Sequence, residues 1–184
     1  MKTTSQLLCF LCFVLVFTCG CGSKRGTSTL SPTEQAQVDI YLRDNGKNAI
    51  RILLASSSQN TDKELVLKYV KYLASHGAEV NGDFSTTRTP LHYAALCGYV
   101  EVAEYLVSQG ADANARNPRD KNKTILHYVV QIGGEKGVQA VKLLISVGAD
   151  VNARDDDGVT PLDETQVNVE IAEYLKSVGA KSGK

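Results

Sequence analysis

Four ten-residue segments of this chain align without a gap, and they constrain the fold more than anything else. They are Tyr69–Ala78 (YVKYLASHGA), Val102–Ala111 (VAEYLVSQGA), Ala140–Ala149 (AVKLLISVGA) and Ile171–Ala180 (IAEYLKSVGA). Each reads as the end of an amphipathic helix followed by Gly-Ala. The glycine stands where a helix takes a left-handed stop. Gly77, Gly110, Gly148 and Gly179 follow one another at 33, 38 and 31 residues. A period in this range marks stacked supersecondary units, each unable to bury its own apolar face, so about three are needed for stability. Val102, Ala103, Leu106 and Val107 supply one apolar stripe, and Val141, Leu144 and Ile145 supply its equivalent.

A second series precedes the first. Thr89-Pro90-Leu91-His92-Tyr93-Ala94-Ala95 is followed by Gly98, Thr124-Ile125-Leu126-His127-Tyr128 is a weaker copy, and Thr160-Pro161-Leu162-Asp163 is truncated. Thr then Pro is a helix start: a hydroxyl cap, then a residue lacking an N–H where none is needed. Gly77–Asn81, Gly110–Asn114 and Gly148–Asn152 share a Gly-Ala-acid-x-Asn pattern suited to a tight turn. Ala94 and Ala95 are small where helices must approach closely.

These motifs resemble the ankyrin repeat family over most of Asn48–Ala180, most closely over Thr89–Ala115. The resemblance implies an all-α ankyrin repeat solenoid, with two antiparallel helices per repeat and a projecting hairpin loop. It divides the body into a degenerate repeat at 48–81, repeats at 82–114 and 115–152, and a C-terminal capping repeat at 153–184. The first lacks Thr-Pro, and a polar insertion, Ser56–Asp62, separates its helices. The third carries an insertion around Ile132–Gly137. The last spans 19 residues from Thr160 to Gly179, against 21 from Thr89 to Gly110, so its inner helix is expected to be short. Ser31-Pro32-Thr33-Glu34 predicts a helix start, with a capping helix within 32–47 that places Val38, Tyr41 and Leu42 on one face and runs to about Arg43.

The N-terminus reads as an address. Leu7–Phe17 is an unbroken apolar run, short of the roughly 20 residues that span a bilayer. Lys2 precedes it and small residues follow, the pattern of a secretory signal over 1–21. The exit, Val16-Phe17-Thr18-Cys19-Gly20-Cys21, resembles a bacterial lipoprotein signal, in which the first mature residue is a lipidated cysteine. Cys19 has Val16 three residues before it, and Cys21 has Gly20 directly before it; either fits in part. Gly22–Thr29 is small and polar, and 22–31 reads as a tether. Localisation is therefore expected in the cell envelope, membrane-anchored through lipid, or otherwise secreted.

Composition narrows the function. The chain has 184 residues, with 20 Lys+Arg balancing 20 Asp+Glu, so it lacks the basic footprint of a nucleic-acid binder. Four of its five cysteines lie at the extreme N-terminus, which excludes a disulfide-stapled core. No catalytic residue, cofactor or metal is expected. His92 and His127 invite a metal reading, but the resemblance makes this histidine a structural hydrogen-bonder between repeats. Asp155-Asp156-Asp157-Gly158 fails the calcium-loop template, because Ala153 stands where an oxygen ligand belongs. Cys97 leaves one rival, a thiol-dependent enzyme or redox protein; a purely structural envelope protein is another.

The hairpins carry the binding expectation. Arg116–Lys123 (RNPRDKNK) is strongly basic and two residues longer than its neighbours. The preceding loop puts Phe84 where the family usually has Asp, and the following one presents three aspartates. In ankyrin proteins loop tips and inner-helix faces form a concave binding surface. The expected partner-binding residues are Phe84, Arg88, Tyr93, Arg119, Lys121, Lys123, Tyr128 and Asp156. The chain is thus expected to be a non-catalytic, monomeric protein-binding module, held to a membrane by lipid at Cys19 or Cys21.

Overall fold

The computed structural model describes residues 30–57, 61–81, 88–165 and 168–183. The chain divides into two compact units, Met1–Glu79 and Val80–Lys184.

In the first unit, helix α1 (Pro32–Asn45) starts where the sequence predicts. The Glu34 N–H donates to Ser31 Oγ, and the Ser31 N–H donates to the Glu34 carboxylate at 2.7 Å, a reciprocal capping box. The helix runs past Arg43 to Asn45, and a 3₁₀ turn, Gly46–Asn48, leads into α2 (Ala49–Ser56). Helix α3 (Lys63–Ser75) is capped by Asp62, whose carboxylate accepts the N–H groups of Glu64 and Leu65. Val38 and Tyr41 of α1 are buried, as are Ile50, Leu53, Val66 and Leu73 of the helix pair, while Leu42 is only half-buried. Tyr72 donates to Asp39 at 2.8 Å and ties α3 to α1. The Glu79 N–H donates to the Lys47 carbonyl at 2.8 Å, and the two side chains pair at 3.1 Å.

The second unit contains α4 (Pro90–Cys97), α5 (Val100–Ser108), a hairpin of β1 (Arg116–Asn117) and β2 (Lys123–Thr124), α6 (Ile125–Val129), α7 (Gly134–Ser146), a 3₁₀ turn (Pro161–Glu164) and α8 (Val169–Ser177). The strands are antiparallel, with Arg116 opposite Thr124 and Asn117 opposite Lys123. Inner elements α4, α6 and the 3₁₀ turn neighbour one another, and α7 packs against α8. Leu91, Leu106, Leu126, Leu144, Ile171 and Leu175 are fully buried between them. The inner elements shrink along the chain, from eight residues to five to a single four-residue 3₁₀ turn. The insertion at Ile132–Gly137 becomes helix from Gly134 on: α7 has 13 residues where α5 has nine. Gly110, Gly148 and Gly179 end the outer helices at φ +92°, +98° and +91°, backbone that a side chain would strain.

Asparagines join the repeats. Asn81 donates through Nδ2 to the Gly110 carbonyl at 3.0 Å and accepts the Asp112 N–H at 2.9 Å. Asn114 does the same to Gly148 and Asp150, at 3.0 and 2.7 Å. Asn152 does so to Gly179 and Lys181, at 3.2 and 2.7 Å. The spacing suggests a local turn former; the structure gives each asparagine a further task, a two-point clamp on the stop of the next outer helix. One amide satisfies the carbonyl of the stop glycine and a turn N–H together.

The last repeat is closed by the segment after α8. Asp163, standing where His127 stands one repeat earlier, accepts from Thr160 N and Oγ1, from Gly183 N and from Ser182 Oγ at 2.6–2.9 Å. Thr160 Oγ1 lies 3.0 Å from the Lys181 carbonyl, and Arg154 donates to the Gly183 carbonyl at 3.3 Å. A Cβ on residue 183 would lie 2.0 Å from the Gly158 carbonyl oxygen, so glycine alone fits this seat. Asn114→Ala removes both bonds of the central clamp. The expected loss is about 1–3 kcal/mol for two neutral hydrogen bonds, read as a lower urea midpoint with an unchanged denaturant slope.

Candidate protein-binding surface

The basic hairpin is held by its neighbour. Lys121 and Asn122 both occupy left-handed backbone, φ +50° and +53°, at the tip between β1 and β2. Asparagine tolerates this region, whereas for lysine it carries strain. Four contacts from the Asp155–Asp157 loop hold the tip there. The Lys121 ammonium pairs with Asp157, Asn122 Nδ2 donates to both Asp156 oxygens at 2.9 and 3.1 Å, and the Asp156 N–H donates to the Lys121 carbonyl at 2.8 Å. Arg116 donates to the Arg154 carbonyl at 2.6 Å and the Asn122 carbonyl at 3.2 Å. The acidic loop is itself shaped by Asp155, whose Oδ1 accepts the N–H groups of Asp157 and Val159. These aspartates build and clamp turns, and among the described residues no group of three or more His, Cys, Asp or Glu is placed to hold a metal ion.

Lys123 is not a free binding cation. It pairs with Glu164 at 2.8 Å, and their side chains are only 17% and 19% exposed. The Glu164 hydrogen bond raises the ammonium pKa against the opposing effect of burial. Lys121 pairs at the surface, 59% exposed. Tyr128 also faces inward in part. Its hydroxyl accepts from Asn117 Nδ2 and donates to the Asp120 carboxylate, both at 3.0 Å, bracing the hairpin from below. Burial, with the Asp120 carboxylate adding to it, pushes this phenol up to about 12. Arg88 and Arg119 are exposed, and Tyr93 is half-buried beside His92. Phe84 lies outside the described residues, as do Cys19 and Cys21. Of the expected contact residues, Lys121 and Asp156 meet in the contact between the hairpin tip and the acidic loop. Sequence spacing sets a basic loop one repeat before an acidic one but does not single out the partners of Lys121, Lys123 and Asp156.

His127 links two repeats through its ring, whereas His92 is buried with no hydrogen-bond partner at Nδ1. The Thr124 N–H donates to His127 Nδ1 at 3.1 Å, so that nitrogen carries no proton, and Nε2–H donates to the Val159 carbonyl of the next repeat at 3.1 Å. The neutral ring therefore serves both contacts. Its pKa is lowered by burial, against the opposing pull of the Val159 carbonyl and nearby carboxylates. His92 is 2% exposed, and its rings lie 6.2 Å from those of both Tyr93 and Tyr128. Burial, then the Arg88 charge, push it down to about 4. Cys97 is half-buried at the end of α4, and burial pushes its thiol up despite nearby Lys136. That is the reverse of what activates a nucleophile. Among the described residues no helix is long and apolar enough to cross a membrane.

A family described as ankyrin repeats (three copies) matches residues 15–117, and a single ankyrin repeat matches residues 121–156. The chain belongs to the ankyrin repeat family, whose repeats are typical protein–protein interaction modules. It is similar to the E3 ubiquitin-protein ligase Ufd4 of Drosophila melanogaster, 29% identical over 152 residues, covering 79% of this chain and 5% of that protein. Protein phosphatase 1 regulatory subunit 27 of Mus musculus is 45% identical over 51 residues, 28% of this chain and 33% of its own. NF-kappa-B inhibitor alpha of Gallus gallus is 40% identical over 80 residues, 44% of this chain and 24% of its own. The chain spans a third or less of the length of these relatives.

The depressed histidines make stability pH-dependent. Both are neutral in the fold, while in the unfolded chain the ordinary histidine pKa is near 6.5. The unfolded state then binds more protons as pH falls, so stability falls with it. For His92 the loss develops between 6.5 and about 4 and reaches roughly 3 kcal/mol at one pKa unit per 1.36 kcal/mol. Urea titrations across that range check this, and a flat profile contradicts it. The ion pairs separate in a second experiment. Lys123→Ala is expected to cost roughly 1–3 kcal/mol, between the exposed and buried limits. Lys121→Ala leaves stability nearly unchanged, because its pair is solvated.

Proposed function

We propose that this chain is a non-catalytic module that binds a protein partner outside the cytoplasm, tethered to a membrane by lipid on Cys19 or Cys21. Its contact surface comprises the hairpin tips and inner-helix residues Phe84, Arg88, Tyr93, Arg119, Lys121 and Asp156, with Lys123 and Tyr128 supporting them. The observation that carries the reading is the locked hairpin pair. Lys121 and Asn122 are fixed to the Asp155–Asp157 loop, and Arg116 to the Arg154 carbonyl, before any partner arrives. A surface already ordered loses less entropy on association, which favours binding. Its sequence, basic at Arg119 and Lys121 and acidic at Asp156 and Asp157, sets orientation for a partner of complementary charge. A short lipid tether raises the local concentration of that surface at the membrane.

The test joins anchoring to recognition. Full-length protein is labelled with a fatty-acid analogue, crosslinked in its native membrane fraction, and its neighbours are identified by mass spectrometry. The expected outcome is label at Cys19 or Cys21 and one stoichiometric protein neighbour. Arg119→Glu with Lys121→Ala loses that neighbour at an unchanged melting temperature. Retained crosslinking in the folded double variant contradicts the surface assignment, and absence of label from both cysteines contradicts the anchor.

A further inference from the structure

We propose that the Lys181–Gly183 strap is a latch: seated on Asp163, it holds the acidic loop in shape, and through that loop it sets the order of the basic hairpin tip one repeat away. Only the functional sense of this latch rests on the proposed binding surface; its contacts do not. Like contacts run along the stack to the strap. Arg116 and Arg154 are corresponding residues, each six positions past an outer-helix stop, Gly110 and Gly148. The Arg116 guanidinium donates to the Arg154 carbonyl at 2.6 Å. The Arg154 guanidinium donates in turn to the Gly183 carbonyl at 3.3 Å. Gly183 is only four positions past its own stop, Gly179. The strap thus turns inward early and does for Arg154 what the next repeat does for Arg116.

The strap grips both stems of the acidic loop. At the first stem it engages Arg154. At the second, Gly183 lies so close that a Cβ there would meet the Gly158 carbonyl oxygen at 2.0 Å and Thr160 Cγ2 at 3.1 Å. The Lys181 carbonyl lies 3.0 Å from Thr160 Oγ1. Asp163 keeps the strap in this seat by accepting the Gly183 N–H at 2.8 Å and the Ser182 hydroxyl at 2.6 Å. Between the stems the Asp155 N–H donates to the Val159 carbonyl and the Gly158 N–H to the Asp155 carbonyl, both at 3.0 Å. The tip of this loop then carries the hairpin: the Asp156 N–H donates to the Lys121 carbonyl at 2.8 Å, and the Asp156 carboxylate accepts from Asn122. Lys121 and Asn122 occupy left-handed backbone, which persists only where the surroundings over-determine it. Loosening the stems withdraws that support.

The strap is also suited to opening. Lys181 and Ser182 are exposed, Gly183 is half-buried, and none of the three carries an apolar side chain to bury. A segment held by polar contacts near the surface opens at the low end of local unfolding free energies.

Native-state hydrogen exchange on the full-length chain reads the latch and the hairpin separately. The residue 183 amide reports the strap, and the Asp156 amide reports the contact of loop with hairpin. The Ala111 amide, which donates to the Leu106 carbonyl at the end of α5, reports the rest of the array. Gly183→Ala is expected to deprotect residue 183 and to speed exchange at Asp156 about tenfold or more, as a local opening does, with Ala111 unchanged. Gly183→Pro removes the N–H that Asp163 accepts as well as adding a Cβ, leaves the Lys181 N–H on Asn152, and is expected to give at least the same acceleration. Asp156 exchange as slow in the proline variant as in the parent overturns the latch. Equal acceleration at Ala111 in both variants also overturns it, because the array then opens as a whole. The binding surface is decided by crosslinking, so a failed latch leaves that assignment standing.

Discussion

Within the second unit, a single side-chain amide per repeat ties each outer-helix stop to the turn one repeat earlier. A repeat of this size cannot bury its apolar face alone, and each stop leaves a glycine carbonyl and a turn N–H to be satisfied where the repeats stack. Asparagine answers both polar groups, because its amide donates and accepts through adjacent atoms. Aspartate lacks the donor, and alanine has neither group. In the first unit Asn48 stands at the equivalent place, 29 residues before Gly77 as Asn81 is before Gly110, but the Glu79 N–H donates to the Lys47 carbonyl instead and the buried Asn48 Oδ1 accepts no hydrogen bond. Serial coupling through identical contacts gives a quasi-one-dimensional array, in which the ends need their own closure. Asp163 provides that closure at one end by gathering the Lys181–Gly183 segment onto Thr160.

Much of this was legible in the sequence. The helix stops at Gly110, Gly148 and Gly179, the Thr89 and Thr160 starts and the Ser31–Glu34 box all rest on local rules, and local rules survive into the fold. The contacts that set the binding surface were not legible. Lys123 and Glu164 are 41 positions apart, and nothing in a linear reading pairs them. Lys121 with Asp157 and Asn122 with Asp156 likewise cross from one repeat to the next. The pairing had a partial signal, a basic loop followed one period later by an acidic one, because residues a period apart become neighbours in a stack. The clamp had a signal too, in the recurrence of asparagine at 81, 114 and 152.

These pairings change the electrostatic picture of the hairpins. Opposite charges on successive loops compensate one another, and the strained tip at Lys121 and Asn122 is set by that compensation. The surface that results is polar and ordered in advance. Neutral, buried His92 and His127 support it from beneath, and they link its integrity to pH above the carboxylate range.

Native-state hydrogen exchange at the backbone amides of Asp112, Asp150 and Lys181 tests the central claim most directly. These amides lie in turns outside every helix, and their acceptors are the asparagine side chains of the preceding repeat. If the clamps hold the array together, these turn amides exchange as slowly as the interiors of α5, α7 and α8. Exchange at the rate of ordinary solvent-facing turns, with the helix interiors protected, contradicts the account.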